Sequence, residues 1–241
     1  MSDTVMRDTA TRDTERLIDV LAADLAPVER LRSPARRLFA WLAAALPVSL
    51  ILGALVERAG LGGPLATPGA AVAQTLSRLG EPYALAEMAA ILATAAAAGY
   101  AALASIQPGR SRALWALPIA PFLIWLAFVG EGCWQLWRQL GPDQFSFAPH
   151  WTCFPSVAAT GAAPAILLVL MLRRGALTSP APTAALAALA AAALGAVGLR
   201  LFHPPDATWL MLIWQFVATI VFFAASGVVA ALLARRGAAR A

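Results

Sequence analysis

Six apolar runs dominate the chain, at residues 38–56, 85–106, 113–129, 155–172, 182–201 and 208–234. Crossing the hydrocarbon core of a bilayer takes roughly 20 residues of α-helix, and a helix satisfies its own backbone hydrogen bonds where no water is present to do so. The runs therefore predict an all-α fold, a six-helix transmembrane bundle. The third and fourth are short for a span, and the last is long enough to tilt or to project from the bilayer.

Composition supports this class. Charged residues make up 13% of the 241-residue chain and the mean hydropathy is +0.71, whereas the surface of a soluble domain of this size calls for roughly 25% charged residues. Alanine, glycine and proline within the runs permit close helix approach and local kinks. The first 37 residues are polar and lack the apolar core of a signal peptide, so the first span is expected to direct insertion.

Orientation follows from arginine, since the chain has no lysine. With a cytoplasmic N-terminus, only Arg58, Arg78, Arg138 and Arg200 of the 18 basic residues fall outside. That bias predicts a multi-pass membrane protein with both termini cytoplasmic. The same distribution accounts for the net charge of +5 and the pI near 10.5 without nucleic acid as a partner. The chain then divides into a cytosolic arm (1–37), a membrane domain (38–234) with an outside loop at 130–154, and a short basic tail (235–241).

That loop, "GEGCWQLWRQLGPDQFSFAPHWTCF", holds both cysteines, Cys133 and Cys153. Outside the membrane the thiols meet an oxidising compartment. A disulfide closing a loop of this size constrains the unfolded chain by about 3 kcal/mol. Three readings stand side by side: a structural staple, a redox switch that shifts the flanking helices, and capture of a soft metal. For the last, Glu131, Cys133, Asp143, His150 and Cys153 offer donors without the tight spacing of a metal motif, so no metal site is assigned. Trp134, Trp137, Trp151 and Phe154, like Trp41 and Trp209, are expected to anchor helix ends at the headgroup level. His203, in "LFHPPDATW", and His150 are ordinary solvated residues or auxiliary sensing groups.

Transporters place ionisable residues near mid-bilayer, and here the central turns lack them; Glu87 falls near an outer end and Gln215 is the main polar residue within a span. No GxSxG, HExxH or phosphate-cradling glycine loop is present, and no second cysteine pair exists to relay electrons. The chain is not expected to be an enzyme or to carry a cofactor.

The arm reads "DTERLIDVLAADLAPVERLRSPARR". Thr14 suits an N-cap, and Leu17, Leu21, Leu25 and Val28 recur at helical spacing, with Ile18 and Leu31 on or near the same stripe. Glu15, Asp19 and Asp24 outnumber Arg16, so anionic lipid repels the polar face. Such a helix suits the groove of a basic protein partner, or packs against its own bundle or a second copy.

In order, "RLIDVLAADLAPVERL", "QPGRSRALWALP", a cysteine just after the third span, "WTCF", "LMLRRGA" and "LFHPPDATWLMLIWQ" resemble the NrsF-type membrane anti-sigma factors, the negative regulators of sigma factor F. The resemblance implies a six-helix inner-membrane protein that sequesters an extracytoplasmic-function sigma factor. The holding segment would lie within residues 14–37, on Leu17, Ile18, Leu21, Leu25, Val28 and Leu31. Cys133 and Cys153 would sense oxidant or heavy-metal stress and release the sigma factor. A membrane thiol/disulfide redox protein or a small transporter is the alternative.

Overall fold

The computed structural model describes residues 14–23, 31–58, 77, 80–107, 109–140, 153–175 and 179–202, and every regular element among them is helical. Residues 14–23 form α1, which belongs to a first compact unit, Met1–Leu31. The second unit, Arg32–Ala241, contains α2 (Pro34–Arg58), α3 (Pro82–Ser105), a 3-10 turn (Arg112–Ala116), α4 (Ile119–Leu140), α5 (Cys153–Leu172) and α6 (Pro180–Phe202). Four stretches are long and apolar enough to cross a membrane, namely Pro34–Val56, Pro82–Ser105, Arg112–Gln139 and Pro180–Leu201, while Ala159–Leu172 within α5 is a shorter apolar helix. The expected sixth run and the basic tail lie outside the described residues.

Local chemistry sets the helix starts. Pro34 opens α2 with a preset φ and no N–H to satisfy, and the Arg36 amide donates to Ser33 Oγ over 3.4 Å. Pro82 opens α3 in the same way. The third span is longer than expected: α4 continues to Leu140 instead of ending near 129, so Cys133 stands on a helix and not in a loop. Gly130 and Gly132 weaken a helix without breaking it, and one turn on the Gln135 amide donates to Glu131 Oε1 over 2.9 Å.

α6 is the centre of the second unit, packed against α3, α5 and α2. Its residues 190–199 are all buried, and most are alanine, glycine or other small side chains. Small residues let helix backbones approach closely, which is the main packing force available where lipid competes equally for apolar surface. α3 runs antiparallel to α6 and is fastened to it at both ends. At one end the Ser105 and Thr183 hydroxyls share a hydrogen bond of 2.7 Å; at the other Arg200 meets Glu87.

α2 buries a single stripe, Arg37, Trp41, Ala45 and Ser49, spaced by four residues, and leaves Phe39, Ile51 and Leu55 exposed. Three members of the stripe donate to backbone carbonyls of α5: Arg37 Nη2 to Met171, Trp41 Nε1 to Pro164 over 3.0 Å, and Ser49 Oγ to Thr160 over 3.0 Å. The last has a clear cause. Pro164 has no N–H for the carbonyl four residues back, which is that of Thr160, and Ser49 supplies the missing donor. Trp41 is therefore a core residue, 1% exposed, and not the headgroup anchor its aromatic character predicted. Its indole has an internal acceptor, so it has no need of the interface.

Where α5 meets α6, a Cβ on Gly195 would stand 3.0 Å from Gly161 Cα and 3.1 Å from Gly161 N, and where α2 meets α6, one on Gly198 would stand 3.2 Å from the Ser49 carbonyl oxygen. Backbone cannot step aside as a side chain can. Gly195→Val is expected to cost about 1–3 kcal/mol by overpacking, read as a lower midpoint of thermal unfolding in detergent. Gly130→Ala is the contrast, since a Cβ there meets nothing within 4 Å. It should be neutral or stabilising by up to about 1 kcal/mol.

Candidate functional site

Two features stand out by their chemistry. The first is the surface of α1. Leu17, Ile18, Val20 and Leu21 are all exposed there, between 58% and 62%. At 100° per residue these four side chains occupy one side of the helix, with Leu17 and Leu21 along its centre and Glu15 and Asp19 opposite. Val20 extends the apolar face beyond the residues that spacing had picked out. Leu31 is exposed as well, at 36%; Leu25 and Val28 lie outside the described residues.

The second feature is the end of the second unit where α3 begins and α4 and α6 finish. Tyr83, in the first turn of α3, donates through its hydroxyl to the Phe128 carbonyl of α4 over 2.8 Å. Its ring meets that of Phe128 edge-on, with centroids 5.1 Å apart. One turn along, buried Glu87 accepts from Arg200 Nη2 across the α3–α6 interface at 2.5 Å. Arg200, counted with the outside arginines although it falls at the end of the fifth run, belongs to the last turn of α6, and its side chain turns back to the bundle. Glu87 is near a helix end as expected, yet it is 8% exposed and ion-paired, not lying free at the membrane surface.

Cys133 is half-buried on α4, packed against the core, and its thiol is free. Arg200 is within electrostatic range of both Cys133 and Tyr83. Next to Cys133, Trp134 and, one turn on, Trp137 are exposed, with their rings tilted by 59° and centroids 5.1 Å apart, in keeping with anchors at a helix end. Cys153 is the first residue of α5; its side chain, with His150 and His203, lies outside the described residues. No group of three or more His, Cys, Asp or Glu side chains able to hold a metal ion occurs among the described residues.

Sequence reasoning had no signal for Tyr83, and for Glu87 and Arg200 it had only their unusual presence in apolar runs. An ionisable residue in such a run, with a second of opposite sign at a matching depth, is the pattern that finds a buried pair.

The order of these elements can be compared with known proteins. The model of one family, described as negative regulator of sigma F, matches residues 21–236, nearly the whole length. The chain belongs to the NrsF family. No curated protein and no solved structure matches it. As an NrsF protein it is a negative regulator with a sigma factor as its partner, built from apolar helices that suit a membrane. The match begins within α1, at Leu21, so part of the exposed apolar face falls inside the family region.

Proposed function

We propose that this NrsF protein is a non-enzymatic membrane anti-sigma factor that holds an extracytoplasmic-function sigma factor on its N-terminal arm and releases it when Cys133 and Cys153 sense oxidant or heavy metal. The observation that carries the reading is the exposed leucine and isoleucine face of α1, with acid opposite. An apolar face of that width is not left in water without cause, and an acidic surround favours a basic partner groove over anionic lipid. The arginine distribution supports an arm on the cytoplasmic side of the inner membrane, where a sigma factor is found.

Sensing would act at the opposite face. Oxidation of the two thiols forms one S–S bond and passes two electrons and two protons to an oxidant such as a peroxide or a periplasmic disulfide. A soft metal ion instead takes the two sulfurs as thiolates and displaces their protons. Either event draws the end of α4 toward the start of α5. Cys133 lies on α4 at the same end as the Glu87–Arg200 contact, so a shift there bears on α3 and α6. Coupling to the arm then has to span roughly 30 Å of bilayer.

The test is a pull-down with tagged full-length protein from native membranes, before and after a brief oxidant or cadmium pulse. A sigma factor recovered before the pulse and lost after it supports both halves of the reading. An intact bait that never retains a sigma factor overturns it. The Cys133→Ser, Cys153→Ser double variant is expected to bind as the wild type does and to fail to release. Normal release from that variant would remove the sensing role while leaving the binding role standing.

A further inference from the structure

Arg37 is the most unusual charge in the second unit. It is 7% exposed, and its guanidinium sits between the first turn of α2 and the last turn of α5. Nη2 donates to the Met171 carbonyl, while Nη1 is buried without a hydrogen-bond partner. Among the described residues no carboxylate pairs with it, and the charge within electrostatic range is another cation, Arg174. Buried guanidinium groups are normally satisfied, and each exception calls for a cause.

Helix polarity makes the deficit larger. The amino-terminal turn of a helix is electropositive and favours acidic side chains. The first turn of α2 has none and instead carries Arg36 and Arg37. Exposed Arg173 and Arg174 follow α5 directly, at the same end of the bundle because the Arg37–Met171 hydrogen bond joins the two turns. The C-terminal end of α5 suits cations and its Met171 carbonyl takes one Arg37 donor, but Nη1 stays unmatched while Arg36, Arg37, Arg173 and Arg174 gather at one end, which asks for an anion there. That place is the end of two strongly apolar helices, and with α2 spanning a bilayer its first turn would fall at the depth of the phospholipid headgroups.

We propose that the turn pair of α2 and α5 is a binding site for the phosphate of an anionic phospholipid, with Arg37 as its buried contact and Arg174 as its exposed one. The guanidinium fork matches a phosphate in shape and charge, and the headgroup offsets the repulsion between the two arginines. Either form of phosphate must displace side chains to reach the buried Nη1, and a lipid is favoured because a bilayer holds headgroups at the site continuously, at far higher local concentration. The site uses none of the α1 residues and neither of the cysteines on which the proposed function rests.

The experiment uses full-length protein in nanodiscs of phosphatidylcholine, with or without phosphatidylglycerol, read by thermal unfolding and by native mass spectrometry of retained lipid. Wild type is expected to gain stability with phosphatidylglycerol and to keep one such lipid. Arg37→Gln and the exposed Arg174→Gln are each expected to reduce retention about ten-fold or more, the worth of one charge-assisted contact. Arg138→Gln, on the final turn of α4, should retain the lipid like wild type. Equal stabilisation by the two lipid mixtures overturns the proposal, as does retention that both arginine variants leave unchanged. If Arg37→Gln fails to fold, Arg174→Gln decides alone. An equal shift from millimolar inorganic phosphate in pure phosphatidylcholine would overturn the lipid assignment in favour of the free anion.

Discussion

Leu21→Asp is expected to abolish capture of the sigma factor while leaving the protein in the membrane at normal abundance. Leu21 is 59% exposed in the structure, so the substitution opens no cavity. In the proposed complex it would lie at the centre of the apolar stripe with Leu17, and a carboxylate there would have to be desolvated against the partner's apolar groove. Central interface residues of this kind are worth about 2 kcal/mol or more, which weakens binding at least about 30-fold. Pull-down and a reporter driven by the released sigma factor should agree, the second showing constitutive activity. Glu15→Gln, on the opposite side of α1, should change either readout little. Wild-type capture by Leu21→Asp would show that the partner does not read this face.

Glu87→Ala is expected to destabilise the second unit strongly. The substitution leaves the Arg200 guanidinium in place and removes the carboxylate it contacts across α3 and α6, with the two side chains 15% and 10% exposed. Breaking a buried ion pair by deleting one partner costs about 3–5 kcal/mol. The low end, about 3 kcal/mol, is expected here, because the pair lies near a bundle end and keeps some exposure. The readouts are the thermal midpoint in detergent and the amount of protein in the membrane. Replacing both residues, Glu87→Gln with Arg200→Gln, should restore much of the loss, since two amides can hydrogen-bond to each other without a charge to compensate. An unchanged midpoint for Glu87→Ala would mean that the small-residue packing between α3 and α6 alone holds this end closed.

The same end carries Cys133, so the proposed sensing and the stability of this end would be linked. Arg200 lies within reach of its field, and Tyr83 ties α3 to the carbonyl of Phe128, less than two turns before the thiol. A variant that loosens this end is therefore expected to disturb release as well as folding. The Cys133→Ser, Cys153→Ser variant should disturb release only. Comparing the two in one release assay separates a mechanical contribution from the chemistry of sulfur.

What the sequence determined by itself was whatever depends on local pattern. Runs of apolar residues fix helices that suit a membrane, because a backbone in lipid has no other way to satisfy its hydrogen bonds. Leu17, Ile18 and Leu21 share a face because helical spacing alone puts them there. The ordered motifs from "RLIDVLAADLAPVERL" to "LFHPPDATWLMLIWQ" pointed to the family that the chain proves to belong to. What only the tertiary structure decided was which residues meet across helices. α4 continues past Gly130 and Gly132, so Cys133 is a helical residue against the core, although those glycines and the charge beside them read as a loop. Trp41 reads as an interface anchor until the Pro164 carbonyl is found beside it, and Ser49 is silent until the carbonyl that Pro164 strands is traced to Thr160. Glu87 and Arg200 are 113 positions apart, and the end-to-end register of two antiparallel helices makes them a pair. The physical reason is common to all four. In a helix the backbone pairs with itself and carries no information about its neighbours, so partner choice falls to polar side chains and small residues whose meaning exists only once two helices are laid side by side.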